Sequence, residues 1–381
     1  MKIISIEPTP SPNSMKLNMD ESLAQGIRIT YTRDNSETAP DYMQKLLTIP
    51  GVKSVFHAAD FIAVDRTPKG DWQLILGEAR KVFGEAPTAE NRAPEAEAVQ
   101  EADSSYGEAH VLVQMFRGIP LQVRVRGGVE EARVAMPDRF SQAAIQAGTA
   151  SPNLIRERKL EELGVRYGEL KDIANEVVQE LDASYDDARL SDLVSHAMQE
   201  TPEDSPLEAE SALSASATAE LLRDPDWKKR YAALQGVKPS LETLPLLIQA
   251  LEDEKVSVRR LATVYLGDIK EPEVLPYLYR ALEDHTPAVR RTAGDTLSDL
   301  GDPSAIPAMI KALKDTNKLV RWRAARFLYE VGDETALAAL QEAADDSEFE
   351  VRMQVKIALE RIEGGHTAEG SVWQQMTRRN D

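Results

Sequence analysis

Asp284-His-Thr-Pro-Ala-Val-Arg-Arg-Thr-Ala-Gly-Asp-Thr-Leu-Ser-Asp-Leu-Gly301 is the stretch on which the fold turns, because its skeleton recurs along the C-terminal part of the chain. The aspartates Asp224, Asp253, Asp284, Asp315 and Asp346 are spaced by 29, 31, 31 and 31 residues. Six residues after each stands an arginine: Arg230, Arg259, Arg290, Arg321 and Arg352. Three further on comes Ala233, Ala262, Ala293, Ala324 or Val355, and four beyond that Val237, Leu266, Leu297, Leu328 or Leu359. Agreement at four positions across five registers marks an internal repeat, and this decides the architecture before any single residue is interpreted.

Positions +5, +9, +13 and +16 from each aspartate lie on one side of a helix, so each unit carries an amphipathic helix after its aspartate. A second helix precedes it over 241–252, 273–283 and 304–314, with Pro245, Pro276 and Pro307 in the first turn, where a missing N–H costs little. Neither helix buries its apolar stripe alone, so the pairs must stack into a solenoid. The segments 253–267 and 284–301 resemble HEAT-like repeats of the phycobilisome-lyase type, over about residues 205–364. Lys229 replaces the usual valine in the first unit and Glu363 the usual glycine in the last, as suits capping repeats. The ladder Asp253, Arg259, Asp284, Arg290, Asp315, Arg321, Asp346 and Arg352 is read as structural, each arginine bridging to an aspartate of its own or an adjacent repeat.

In repeats of this kind the resemblance implies that the second helix lines the concave side. Positions +7, +11 and +14 lie about 180–240° from the buried +5 position, and on that ground face outward. Trp322, Arg326 and Tyr329 then form one stripe, flanked by Arg291 and Arg260. These are residue types that anchor protein interfaces, so the expected ligand is a protein or peptide, acidic in character. The alternative is that Trp322 folds back onto a neighbouring repeat with Arg326 stacked on it.

The N-terminal stretch reads differently. Residues 3–7, 15–19 and 28–32 read as strands, 42–49 as a short helix, and 52–57 with 61–66 as a hairpin. Asp71 then caps an amphipathic helix over 72–83. The motifs Glu7-Pro-Thr-Pro-Ser-Pro-Asn-Ser-Met-Lys16, Pro50-Gly-Val-Lys-Ser-Val-Phe-His-Ala-Ala-Asp-Phe-Ile-Ala-Val64 and Asp71-Trp72 resemble the N-terminal domain of Nfu/NifU iron–sulfur scaffold proteins, over residues 1–87. That family's cluster chemistry needs a Cys-x-x-Cys motif, and this chain contains no cysteine. Asn13, Ser14 and Lys16 are the polar residues to watch, and Asn13 and Ser14 are read as satisfying turn backbone groups and starting the next strand.

Between the two lies an acidic linker over 88–107 and a small α/β domain over 108–200. Residues 110–117 and 119–126 form a strand pair ending at Gly127-Gly128, followed by helices over 137–147, 154–163, 168–182 and 187–199. Arg117, Arg124, Arg126 and Arg133 either hold an anion or line an exposed edge strand, and the edge strand is the preferred reading. A second polar gap covers 200–206, and a polar tail 365–381.

The net charge of −19 is uneven: −1 over residues 1–87, −13 over 88–215 and −5 over 216–381. Phosphate binding draws on clustered lysine and arginine, so a nucleic-acid role is disfavoured. No run approaches the about 18 apolar residues of a membrane helix, and the start has no signal-peptide pattern. The five histidines are scattered without metal-ligand spacing, and no nucleophile elbow, phosphate loop or dinucleotide fingerprint occurs. No catalytic residue, metal or cofactor is expected.

The domain order, an N-terminal α+β domain, a small α/β middle domain with helices and an all-α HEAT-like solenoid, resembles the conserved virulence factor C family of Gram-positive bacteria. That resemblance implies a cytoplasmic, non-catalytic interaction or regulatory scaffold linked to virulence. The alternative is an accessory factor in iron–sulfur protein assembly that contacts partners without binding a cluster.

Overall fold

The computed structural model describes residues 1–9, 11–24, 27–67, 70–84, 108–128, 130–149, 156–199 and 214–365. The expected acidic linker, the polar gap over 200–206 and the tail beyond 365 lie outside the described residues. Two compact units emerge. One joins Met1–Glu108 to Ile306–Asp381, and the other is Ala109–Ala305.

In the first unit, β1 (Ile3–Pro8), β2 (Ser14–Met19), β3 (Arg28–Thr32), β4 (Val52–Ala58) and β5 (Phe61–Arg66) form one antiparallel sheet in the order β1-β2-β5-β4-β3. Alternation decides which side is buried: Met15, Leu17 and Met19 of β2 join Val64 and Ile62 of β5 in the core. Helices α1 (Asp41–Thr48) and α2 (Trp72–Val82) supply Met43, Leu46, Trp72, Ile75 and Ala79 to the same core. Asp71 caps α2 by accepting a hydrogen bond from the Gln73 amide at 2.8 Å.

The second unit opens with β6 (Glu108–Phe116), β7 (Ile119–Gly127) and β8 (Glu130–Ala135), then α3 (Asp138–Gly148), β9 (Arg158–Tyr167), α4 (Leu170–Ser184) and α5 (Asp187–Gln199). The sheet order is β8-β7-β6-β9. The β6–β7 hairpin turns at Arg117 and Gly118, both with positive φ (47° and 79°), the geometry that matches strand twist in a two-residue loop. Val111 pairs with Val125 and Val113 with Val123, and the helices pack on that face.

Two sequence expectations are corrected here. Residues 154–163 were expected as helix; the described part from Arg158 onward is strand β9. Strand β7 was expected at an edge, but it lies between β8 and β6, and β8 itself had not been foreseen.

The repeats follow as helix pairs. In the second unit these are α6 (Ala215–Leu221) with α7 (Trp227–Gln235), α8 (Leu244–Ala250) with α9 (Val256–Ile269), and α10 (Leu275–Ala281) with α11 (Pro287–Leu300). In the first unit they are α12 (Ile306–Ala312) with α13 (Lys318–Val331), and α14 (Leu337–Ala343) with α15 (Phe349–Glu363). Val258, Ala262 and Leu266 of α9 are fully buried, as are Val289, Ala293 and Leu297 of α11 at the same offsets. Among the described residues no helix is long and apolar enough to cross a membrane.

Candidate functional site

The conserved offsets of the repeat resolve into one hydrogen-bonding rule. The carboxylate at the repeat start accepts the backbone N–H two residues on: Asp253 from Lys255, Asp284 from Thr286 and Asp346 from Glu348, at 2.7–2.8 Å. The arginine six residues later donates Nη1 to that aspartate's own carbonyl and reaches the next repeat's carboxylate with Nε and Nη2. Arg230 meets Asp253 at 2.6 and 2.9 Å, Arg259 meets Asp284 at 2.7 and 3.1 Å, and Arg321 meets Asp346 at 2.6 and 2.9 Å. Arg290 and Arg352 make the carbonyl bond to Asp284 and Asp346 at 2.8 and 2.6 Å. Burial alone would raise the Asp284 and Asp346 carboxyl pKa values; hydrogen bonds from Arg259 and Arg321 and from the +2 amides outweigh it and hold both below the usual range. The forked guanidinium satisfies a carbonyl and a carboxylate at once, which lysine cannot do.

The inner face is not open. In the second unit, α4 lies against α7 and presents acidic side chains to the repeat helices. Glu180 accepts hydrogen bonds from Arg166 at 2.6 Å and from Arg260 at 3.2 Å. Burial would raise the Glu180 pKa, yet the charges of Arg260 and Arg166 overcome it and keep the carboxylate ionised below its ordinary value. Asp182 binds both Lys228 and Arg139, and Lys255 donates to Gln179 at 3.3 Å. The guanidinium of Arg291 sits 3.1 Å from the ring centroid of Tyr167, at the end of β9. Tyr231 is buried under the same cover, and that burial raises its phenol pKa.

In the first unit the last repeat helix is covered as well. Arg66 of β5 pairs with Glu350 of α15, and Phe349 and Met353 pack against the N-terminal core. Asn13 accepts a hydrogen bond from Arg66 Nε at 3.1 Å, and Trp72 Nε1 donates to the Pro12 carbonyl at 2.9 Å. Lys16 is buried over Phe61, with Glu7 at 3.5 Å.

The expected stripe is therefore corrected in its exposure. Trp322 and Arg326 are 2% and 3% exposed, and only Tyr329 keeps part of its surface. Arg326 donates to Glu330 at 2.8 Å and stands 5.2 Å from the Tyr329 ring centroid. Helical geometry says which way a side chain leaves its own helix, and says nothing of what packs on that side afterwards. Residues missed from sequence are Glu180 and Tyr167. Their one signal was the concentration of acidic charge in the middle region, opposite a row of arginines.

The four middle-domain arginines do not gather round one point. Arg117 at the hairpin turn binds Glu157 at 2.6 Å, Arg124 binds Gln122 and Gln114, and Arg126 and Arg133 both bind Glu131. Those two hydrogen bonds, from Arg126 first, lower the Glu131 pKa. Among the described residues, no three His, Asp or Glu side chains are grouped as a metal site.

Comparison with known proteins covers each region. Residues 4–90 match the family described as scaffold protein Nfu/NifU N terminal, 114–194 match the family described as virulence factor, and 215–294 with 278–360 match HEAT repeats. The Staphylococcus aureus protein SAV1430 is 40% identical over 22% of this chain and 99% of its own, with a TM-score of 0.20. The CpcE–CpcF complex of phycocyanin lyase from Nostoc is 23% identical over 43% of this chain and 71% of that chain, with a TM-score of 0.35. A Bacillus subtilis protein, YpgR, is 54% identical over 99% of this chain and 98% of its own. Conserved virulence factor C of Staphylococcus aureus is 47% identical over 100% of both chains. With identity at that level running from end to end, this chain belongs to the conserved virulence factor C family.

Proposed function

We propose that this protein is a non-catalytic, cytoplasmic regulatory scaffold whose repeat arginines bind an acidic protein segment. The observation that carries the reading is the pairing of Arg260 with Glu180, together with the stacking of Arg291 on Tyr167. The inner face already grips an acidic helix with an adjacent aromatic, supplied by the chain itself. A partner segment of the same chemistry competes with Glu180 of α4 for Arg260 and with Tyr167 of β9 for Arg291. The ion pairs Arg66–Glu350 and Arg166–Glu180–Arg260 and the ladder support a structural use of the buried charges rather than acid–base chemistry. The name carried by the Staphylococcus aureus relatives supports a regulatory setting.

Cross-linking pull-down from cell lysate tests this with three proteins: wild type, the Arg260→Ala/Arg291→Ala variant, and Glu180→Gln, which weakens the internal grip. Recovery of the main partner should fall at least about tenfold in the arginine variant and rise in Glu180→Gln, with the helical circular-dichroism signal retained in both. Equal recovery by all three proteins would remove these arginines from the interface. A second reading, an accessory role in iron–sulfur protein assembly, is supported by the match of residues 4–90 alone.

A further inference from the structure

Strand β9 is the outer strand of the four-stranded sheet, and Leu160, Leu163 and Val165 on it are 41%, 53% and 40% exposed. It is ten residues long and contains no proline. Natural edges are usually short, bulged or interrupted, because an outer strand presents unpaired N–H and C=O groups to any strand that approaches. This one is long and apolar in places; its positive-φ residue, Gly164 (92°), lies beyond the 158–162 segment, whose charges are ordered. Arg158 and Lys159 precede Leu160, and Glu161 and Glu162 follow it, all four exposed.

That order is self-complementary. When an antiparallel copy is laid beside β9 with the two-fold axis at Leu160, Leu160 meets itself, Lys159 meets Glu161 and Arg158 meets Glu162. Symmetry makes each of these contacts twice. Opposite charges placed directly across a strand pair stabilise it, and like charges destabilise it. Moving the axis two residues, to Glu162, sets that glutamate against itself and Arg158 against Arg166. Register is therefore written into the charges. Glu162 also meets the exposed His110 at 3.1 Å.

We propose that β9 is a homodimer interface, in which two copies of the chain pair antiparallel about Leu160 and join two four-stranded sheets into one of eight strands. The occupant is a second copy because the charge order complements its own reverse. A single strand pair buries less area than a standard protein interface, so the dimer is weak and appears across the micromolar range.

Sedimentation velocity on the full chain, run over a concentration series, reads this directly. Wild type should shift from monomer to dimer. Lys159→Glu and Glu161→Lys each place like charges opposite one another at two points and should weaken the dimer at least tenfold. Mixed in equal amounts, the two variants restore opposite charges at both points and should dimerise as wild type does. The same melting temperature in all three proteins separates this effect from misfolding, since both sites are on the surface. Wild type remaining monomeric throughout would overturn the proposal, even if β9 captured some other protein. So would single variants that dimerise like wild type, or a mixture that fails to recover.

Discussion

Arg66 Nη1 lies 2.6 Å from Glu350 Oε1, with the two side chains 1% and 8% exposed. The pair joins the fifth strand of the N-terminal sheet to the last repeat helix. Arg66 also donates to Asn13 Oδ1 at 3.1 Å and to the Gly70 carbonyl at 2.9 Å, and its guanidinium stands 5.3 Å from the Trp72 ring centroid. One side chain thus fixes the proline-rich turn, the entry to α2 and the contact with α15. This explains how sequence segments from opposite ends of the chain share a compact unit.

Removing one member of a buried pair strands the other without water, which typically destabilises by about 3–5 kcal/mol. Arg66→Ala should therefore lower the unfolding free energy of the first unit by that order, as read by chemical denaturation. Glu350→Ala on the same background should cost less than it does alone, because the stranded charge is already gone. Strictly additive losses in the double variant would show that the two residues do not depend on each other.

Gly267 of α9 faces Thr296 of α11, and a Cβ added there would stand 2.4 Å from Thr296 Cγ2. Helix propensity alone favours Gly→Ala by about 1 kcal/mol. The overlap reverses that sign, and Gly267→Ala should destabilise by about 1–3 kcal/mol. Thr296→Ser deletes the offending methyl, so the double variant should regain most of the loss. A stabilised Gly267→Ala protein would mean that the two helices are farther apart in solution.

The repeat and the N-terminal elements were legible because their signals are periodic and local. A 31-residue spacing survives any tertiary context, and Asp71 caps α2 where the residues themselves say so. Strand β9 was misread because Leu160 and Leu163 are three apart among Glu, Lys and Arg, the composition of an amphipathic helix. Its first six residues are exposed, so no buried side imposes the two-residue alternation that marks a strand. Strand β8, short and charged, gave no alternation either, and without it β7 looked like an edge. The covered inner face was illegible for another reason: contacts between distant segments leave no trace in the spacing of either one.

The ladder should make stability depend on acid in a definite direction. Asp284 has its folded pKa below the ordinary value of 3.8, because hydrogen bonds from Arg259 and the Thr286 amide outweigh burial. A depressed carboxylate contributes stability that is fully present above the unfolded value and is lost as pH falls through the folded one. Asp284→Asn should accordingly be less stable than wild type near neutrality, and the gap should narrow below about pH 4. Melting temperatures measured from neutral pH downward check this. A gap of constant size down to the acid limit would show that the carboxylate charge contributes nothing at this position.

Trp322 gives the sharpest contrast between the two readings of the inner face. Were it an exposed anchor, Trp322→Ala would spare the fold and reduce only binding. At 2% exposure it is part of the packed interior, with the Arg323 guanidinium 5.1 Å from its ring centroid. Deleting a buried aromatic of this size removes apolar contact and leaves a void, with losses of about 3–5 kcal/mol. Trp322→Ala should therefore lower the melting temperature by several degrees or more, whereas Tyr329→Ala, whose ring is partly in water already, should cost clearly less. Trp322→Phe should recover part of the loss, since it refills most of the volume. If Trp322→Ala instead melts with wild type, the tryptophan lies in solvent and its packing contributes nothing to the fold of the first unit.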